Sequence, residues 1–197
     1  MVNARRDPEG RKRALAAAVV EVVAEVGVGK TTHRMVASRA GVPLGATTYY
    51  FPTLPDLIAA GLTLVSDSVA ADLADWRAAI EREPDDPAGA LSRLVAAYVA
   101  DQPKALLEYE LYLAAARVPA LRPLARAWLD GVHAMLAPRT GDTAARAISA
   151  LVDGAMLQAV VTGEAIEPEG LAAAIRDLIR SAPEVSGRGD PERDGIR

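Results

Sequence analysis

The chain contains no cysteine. Disulfides, thiolate metal sites and cysteine nucleophiles are therefore excluded. Histidine is almost as scarce. Only His33 and His133 occur, far apart in sequence, which argues against a His-based metal cluster and a Ser-His-Asp triad. No metal and no cofactor is expected. Phe, Trp and Tyr make up 4% of a chain that is 51% apolar, and much of the apolar share is alanine. Alanine favours helix, and the Val/Ile/Thr alternation of a β domain is missing. The N-terminus begins basic but runs into Asp7-Pro8-Glu9-Gly10 with no apolar stretch, unlike a secretory signal. No segment reads as the ~18–20 apolar residues of a membrane span. These absences predict a soluble, cytoplasmic, all-α protein with no membrane partner and no enzymatic role.

What is present is unevenly charged. Residues 1–50 carry eight Lys/Arg (Arg5, Arg6, Arg11, Lys12, Arg13, Lys30, Arg34, Arg39) against four acids. The net charge of the whole chain is −4. A basic head thus sits on an acidic body, a pattern that suits a head meeting a polyanion. Ordinary solvated helix faces are the alternative.

Hydrophobic spacing and proline punctuation predict about nine helices. The first covers about 9–26, with Leu15, Val19, Val22, Val23 and Val26 at helical intervals. Gly27 fits its C-terminal cap. A short helix at about 32–39, capped by Thr31 or Thr32, leads through Ala40-Gly41-Val42 into another at about 43–49, with Pro43 in its first turn. Ile58, Leu62, Val65, Val69, Leu73, Trp76 and Ile80 then mark a long amphipathic helix. Further helices are expected at about 87–101, 103–116, 119–137, 143–163 and 168–181, with Pro103, Pro119, Pro138 and Pro168 at their ends. No internal repeat is visible. The organisation expected is a head at 1–53, a helical body at 54–183 and a disordered tail at 184–197.

Residues 27–33, GVGKTTH, share letters with a phosphate-binding loop. That loop needs a first glycine where this chain has Ala24, and it must follow a buried strand. Here a helical pattern precedes it. The stretch therefore reads as a helix-to-helix connection rather than a nucleotide site.

The two short helices have the length and punctuation of a helix-turn-helix. Val36 and Ala37 are expected to face inward. Gly45, Thr47, Thr48 and Tyr49 are expected to be exposed, with Tyr50 and Phe51 anchoring the helix end. The stretch TTHRMVASRAGVPLGATTYYFPTLPDLI resembles the signature of TetR-type transcriptional regulators, in Thr32, Val36-Ala37, Ala40-Gly41-Val42, Tyr50-Phe51 and Asp56-Leu57. The resemblance covers about residues 10–60. It departs from the family pattern at Leu44 and Leu54, where lysines are frequent, and at Thr48, where tyrosine is frequent. It implies double-stranded DNA as a partner, with Lys30, Thr32, His33, Arg34, Pro43, Leu44, Gly45, Thr47, Thr48, Tyr49 and Tyr50 as candidate contacts. Arg5, Arg6, Arg11, Lys12 and Arg13 suit either a minor-groove arm or a free basic tail.

The resemblance further implies a C-terminal ligand-binding and dimerisation domain, a homodimer through the last two helices, and a repressor released from a palindromic operator by a small-molecule effector. The candidate dimer residues are Ile148, Leu151, Val152, Ala155 and Ala159 with Leu171, Ile175, Leu178 and Ala182, although the same stripes would also serve the chain's own core. The candidate ligand residues are Tyr98, Glu108, Tyr109, Tyr112, Trp128 and Met156, with His133 and Met135 as possible neighbours. Carboxylates beside aromatic faces suit a cationic or aromatic ligand. A helical carrier that does not bind DNA is the remaining alternative.

Overall fold

The computed structural model describes residues 7–181. Its order is α1 (Pro8–Val26), a 3-10 turn (Val28–Lys30), α2 (His33–Arg39), α3 (Leu44–Tyr50), α4 (Leu54–Glu81), α5 (Pro87–Ala100), α6 (Gln102–Arg117), a second 3-10 turn (Pro119–Leu121), α7 (Arg122–Thr140), α8 (Asp142–Thr162) and α9 (Pro168–Ser181). Among the described residues there is no strand. The tail at 184–197, Ala182 and the arginines Arg5 and Arg6 lie outside the described residues.

Side-chain caps explain most of the starts. Asp7 accepts from Gly10 N at 2.8 Å, Thr32 from Met35 N at 3.3 Å, Thr53 from Asp56 N at 3.2 Å and Asp86 from Gly89 N at 3.1 Å. Each satisfies a donor that the first helical turn leaves without a partner. Because α1 is capped at Asp7, Arg11, Lys12 and Arg13 are helical and not part of an extended arm. Lys12 pairs with Glu9 at 3.2 Å. Pro138 does not end α7, which continues to Thr140.

Three apolar clusters organise the packing. The head cluster joins Leu15, Val19, Val23 and Val36 to Leu57 and Val65 of α4 and Leu107 of α6. Fully burying each Val or Leu contributes about 1.5–3 kcal/mol. The α1–α4 crossing is close, since a Cβ on Gly61 would lie 2.5 Å from Val19 Cγ1. A second cluster, with Ile58, Leu62, Leu111, Ala114 and Leu121, links α4 to α6. The third is the body core around Trp76, Val95, Trp128, Ile148 and Met156.

α4 therefore spans both halves. It and α8 are long and apolar enough to cross a membrane by length and composition, which corrects the expectation that no segment would be. Each commits one face to these cores.

The last two helices turn several of the expected dimer residues into the chain's own core. Ile148, Val152, Ala159, Leu171 and Ile175 are buried by the chain's own α5, α7, α8 and α9. Their stripes close the intrachain core. Leu151, Ala155 and Leu178 are half-buried. The outward stripe on α8 is instead Ala147, Ala150, Gly154, Leu157 and Val161, and Val161 is 75% exposed.

Candidate nucleic-acid interface and ligand cage

The connection out of α1 is a turn, not a phosphate cradle. Gly29 and Lys30 are exposed in the 3-10 turn. Thr31 is buried and donates its hydroxyl to Gly27 O at 2.9 Å. Arg39, in the last turn of α2, pairs with Glu21 and Glu25 of α1, which fixes α2 on α1. The Val42 N–H donates to Ala37 O at 3.0 Å and closes the turn into α3.

This arrangement exposes Lys30, Thr32, Arg34, Pro43, Leu44, Gly45, Thr48 and Tyr49. Tyr49 is 79% exposed at the end of α3, standing edge-on to Tyr50 with ring centroids 5.0 Å apart. Tyr50 and Phe51 are half-buried against the head cluster. Thr47 does not face outward as expected; it is 0% exposed. Its hydroxyl donates to Leu44 O at 2.7 Å and lies 3.2 Å from His33 Nδ1. The turn between α2 and α3 rotates Thr47 inward, so that it joins the two helices. His33 is half-buried in that contact.

In the body, the candidate ligand residues meet. Tyr98 and Trp128 stack at 5.1 Å and 25°. Trp76 stands edge-on to both, at 5.7 and 5.0 Å. Glu108 is 1% exposed and receives two hydroxyls, from Tyr98 and Tyr112, each at 2.8 Å. Burial pushes its carboxyl up to about 7, and Asp153 and Asp72 add to this, while the two hydroxyls pull it down. Burial also raises Tyr98 and Tyr112 above the ordinary phenol value, with Glu108 adding to it, so both remain donors. Tyr109 donates to the Asp153 carbonyl at 3.0 Å and sits edge-on to Tyr112. Met156 is fully buried in the same core. His133 is not in the cage; its Nε2 lies 2.8 Å from Asp142 Oδ1. Met135 belongs to the buried body core and lines a different cleft, beside Ile148 and Ile175.

Four participants escaped sequence reading: Trp76, Asp72, Lys104 and Asp153. Lys104 Nζ lies 5.0 Å from the Tyr98 ring centroid and is paired with Asp72 at 2.7 Å. Asp153 Oδ1 is buried with no hydrogen-bond partner among the described residues, and burial raises its carboxyl. A signal existed for Asp153, the only charged residue between Arg146 and Glu164. An open cleft of about 310 Å³ reaches Asp153 and Tyr112 from the surface, past Arg122, Arg126 and Leu129.

The chain is similar to solved structures along most of its length. A TetR-family member from Streptomyces coelicolor A3, SCO1917, is 41% identical, with a TM-score of 0.75, 85% of this chain covered and 97% of that one. Residues 82–182 match the family model described as tetracyclin repressor-like, C-terminal domain.

This chain belongs to the TetR family.

The TetR fold here is all-α, and TetR-family regulators bind DNA, dimerise and bind small-molecule ligands. Another relative, the multidrug binding protein EbrR, has been solved with ethidium. It is 41% identical with a TM-score of 0.77, and 88% of this chain and 99% of that one are covered. EbrR has also been solved with malachite green, at 38% identity and a TM-score of 0.72, with 85% and 97% covered. No curated protein matches the chain.

Proposed function

We propose that this TetR-family protein is a cytoplasmic, homodimeric repressor that leaves a palindromic operator when an aromatic cation enters the cage around Glu108. The observation that carries this is the buried Glu108 carboxylate, which accepts two tyrosine hydroxyls and is paired with no cation among the described residues. A charge taken from water without a partner is strongly disfavoured, and a cationic ligand supplies that partner. Tyr98, which donates to Glu108 and is packed with Trp76 and Trp128, ties an aromatic cluster to the same carboxylate. Lys104 over Tyr98 supports the reading, because the chain already seats a cation on that ring. EbrR's complexes with ethidium and malachite green fit the same ligand chemistry.

Dimerisation uses the outward stripe of α8, where Ala147, Ala150 and Gly154 allow close approach and Leu157 and Val161 supply apolar area. Two heads about 34–36 Å apart then read two half-sites. Tyr49, Thr48, Gly45 and Leu44 face base edges. Lys30, Arg34 and Thr32 face phosphate.

Fluorescence anisotropy of DNA from upstream of the protein's own gene tests the proposal. Binding is expected at low salt and to fall steeply as salt rises. Malachite green is expected to reverse it, after correction for dye titrated into DNA alone. Dye binding without any DNA binding would make the protein a carrier and defeat the proposal.

A further inference from the structure

The helix that holds the ligand carboxylate also packs on the head through Leu107 and is hydrogen-bonded to it at one atom pair. The Val28 N–H donates to Glu110 Oε2 at 3.0 Å. Val28 opens the 3-10 turn between α1 and α2, so its N–H has no acceptor within the turn. Gly27, just before it, has φ +79, and a Cβ there would lie 3.1 Å from Glu110 Oε1. The carboxylate therefore lies directly against this connector. We propose that Glu110 is the coupling residue between ligand and DNA: cation binding at Glu108 turns α6, withdraws Glu110 from Val28, and frees the connector that positions α2 and α3. This rests on the function proposed above.

The geometry of α6 makes the link possible. At 3.6 residues per turn, two residues are separated by about 200° around the helix. Glu108 and Glu110 consequently lie on opposite faces. Tyr109 and Tyr112 pack with the body core on the Glu108 side. Leu107 packs in the head cluster, and Leu111 and Ala114 in the cluster shared with α4. A rotation of α6 that admits a cation beside Glu108 must also move Glu110. Beyond Val28 the path is a run of short contacts. The Thr31 N–H donates to Val28 O at 3.3 Å and the Thr31 hydroxyl to Gly27 O at 2.9 Å. Thr32 caps α2, and His33 meets Thr47 of α3. In the proposed coupling this connector, whose Val28 also packs against the head cluster and the cluster shared by α4 and α6, is the element that both sites bias.

The full-length protein, Glu110→Ala and Glu110→Gln test this. Three quantities are measured for each: malachite green affinity without DNA, DNA affinity without dye, and DNA affinity at saturating dye. The ratio of the last two is the coupling. It is expected to be about fivefold or more in the wild type, within the usual range of such couplings. Glu110→Ala is expected to reduce it below about twofold by weakening dye-free DNA binding, with dye affinity within about threefold of wild type. Glu110→Gln retains an acceptor oxygen for Val28 and is expected to keep most of the coupling. Hydrogen exchange at the Val28 amide supplies a readout that mere loss of stability would not mimic. It should quicken in the wild type on dye addition, and be fast without dye in Glu110→Ala. A wild-type ratio surviving in Glu110→Ala, or a Val28 amide indifferent to dye, overturns the assignment while leaving the function standing. A wild type that binds no dye or no DNA overturns the function, and the coupling with it. If Glu110→Ala does not fold, Val28 exchange in the wild type and the Gln variant decide.

Discussion

Replacing Glu108 by Gln separates charge from shape at the centre of the cage. With its carboxyl at about 7, Glu108 is about one-tenth ionised at pH 6 and about nine-tenths ionised at pH 8. A cation selects the ionised form. Its affinity in the wild type should therefore rise roughly tenfold between those values. The other charged groups facing the cage are Asp153 on α8, Asp72 on α4 and Lys104 on α6, and all three are kept in the variant. Glu108→Gln should bind malachite green at least about tenfold more weakly at pH 8, with little pH dependence. Calorimetry with protein and dye alone measures both.

Stability moves the opposite way. The folded value lies above the ordinary value of 4.5, so the folded state holds this proton more tightly than the unfolded chain. The stability this contributes is present below about pH 4.5 and is lost as pH rises through about 7. The difference corresponds to about 3 kcal/mol at pH 8. Glu108→Gln is accordingly expected to melt several degrees higher than wild type at pH 8, with no such gain at pH 4. A variant that binds dye as wild type does, with the same pH slope, would refute the argument that Glu108 is the counter-charge.

Four further outcomes follow from the same structure. Lys30→Ala and Arg34→Ala should each lower the salt dependence of DNA binding by about one in slope, read from anisotropy titrations at several salt concentrations. Thr47→Val should destabilise the protein by about 1 kcal/mol in urea unfolding, because it removes the hydroxyl joining Leu44 O and His33. Tyr49→Ala should leave stability within about 0.5 kcal/mol and weaken DNA binding. Leu157→Glu with Val161→Glu should shift the protein from dimer to monomer in sedimentation velocity, since like charges would face each other across a two-fold interface, whereas Leu113→Glu, on the exposed face of α6, should leave the dimer intact.

Much of the fold was legible in one dimension. Proline and capping residues punctuate nearly every helix, and the α4 stripe from Ile58 to Ile80 is buried as its spacing predicts, apart from half-buried Leu73. The helix-turn-helix was legible because its turn and anchor residues are local. Orientation was less so. Thr47 is as polar as Thr48, and only the angle between α2 and α3 turns one inward and leaves the other out. The α8 stripe misled for a related reason. Periodicity reports that a helix has an apolar face, not whether that face meets its own chain or a second one. The larger residues Ile148 and Val152 went to the intrachain core, and the outward stripe was hidden by its small residues.

The sequence by itself determined the helices, the basic head and the absence of cysteine chemistry, because propensity, capping and charge act over a few residues. It also supplied eight aromatic residues and one buried-helix acid. Only the tertiary structure decided where they meet. Tyr49, Tyr50 and Phe51 end the DNA-reading helix, while Trp76, Tyr98, Tyr109, Tyr112 and Trp128 converge from four helices around Glu108. Helix geometry puts Glu108 and Glu110, two letters apart, on opposite faces of α6, but tertiary packing decided which face meets the cage and which meets Val28. No local rule sets that division, since it depends on which helices pack on either side.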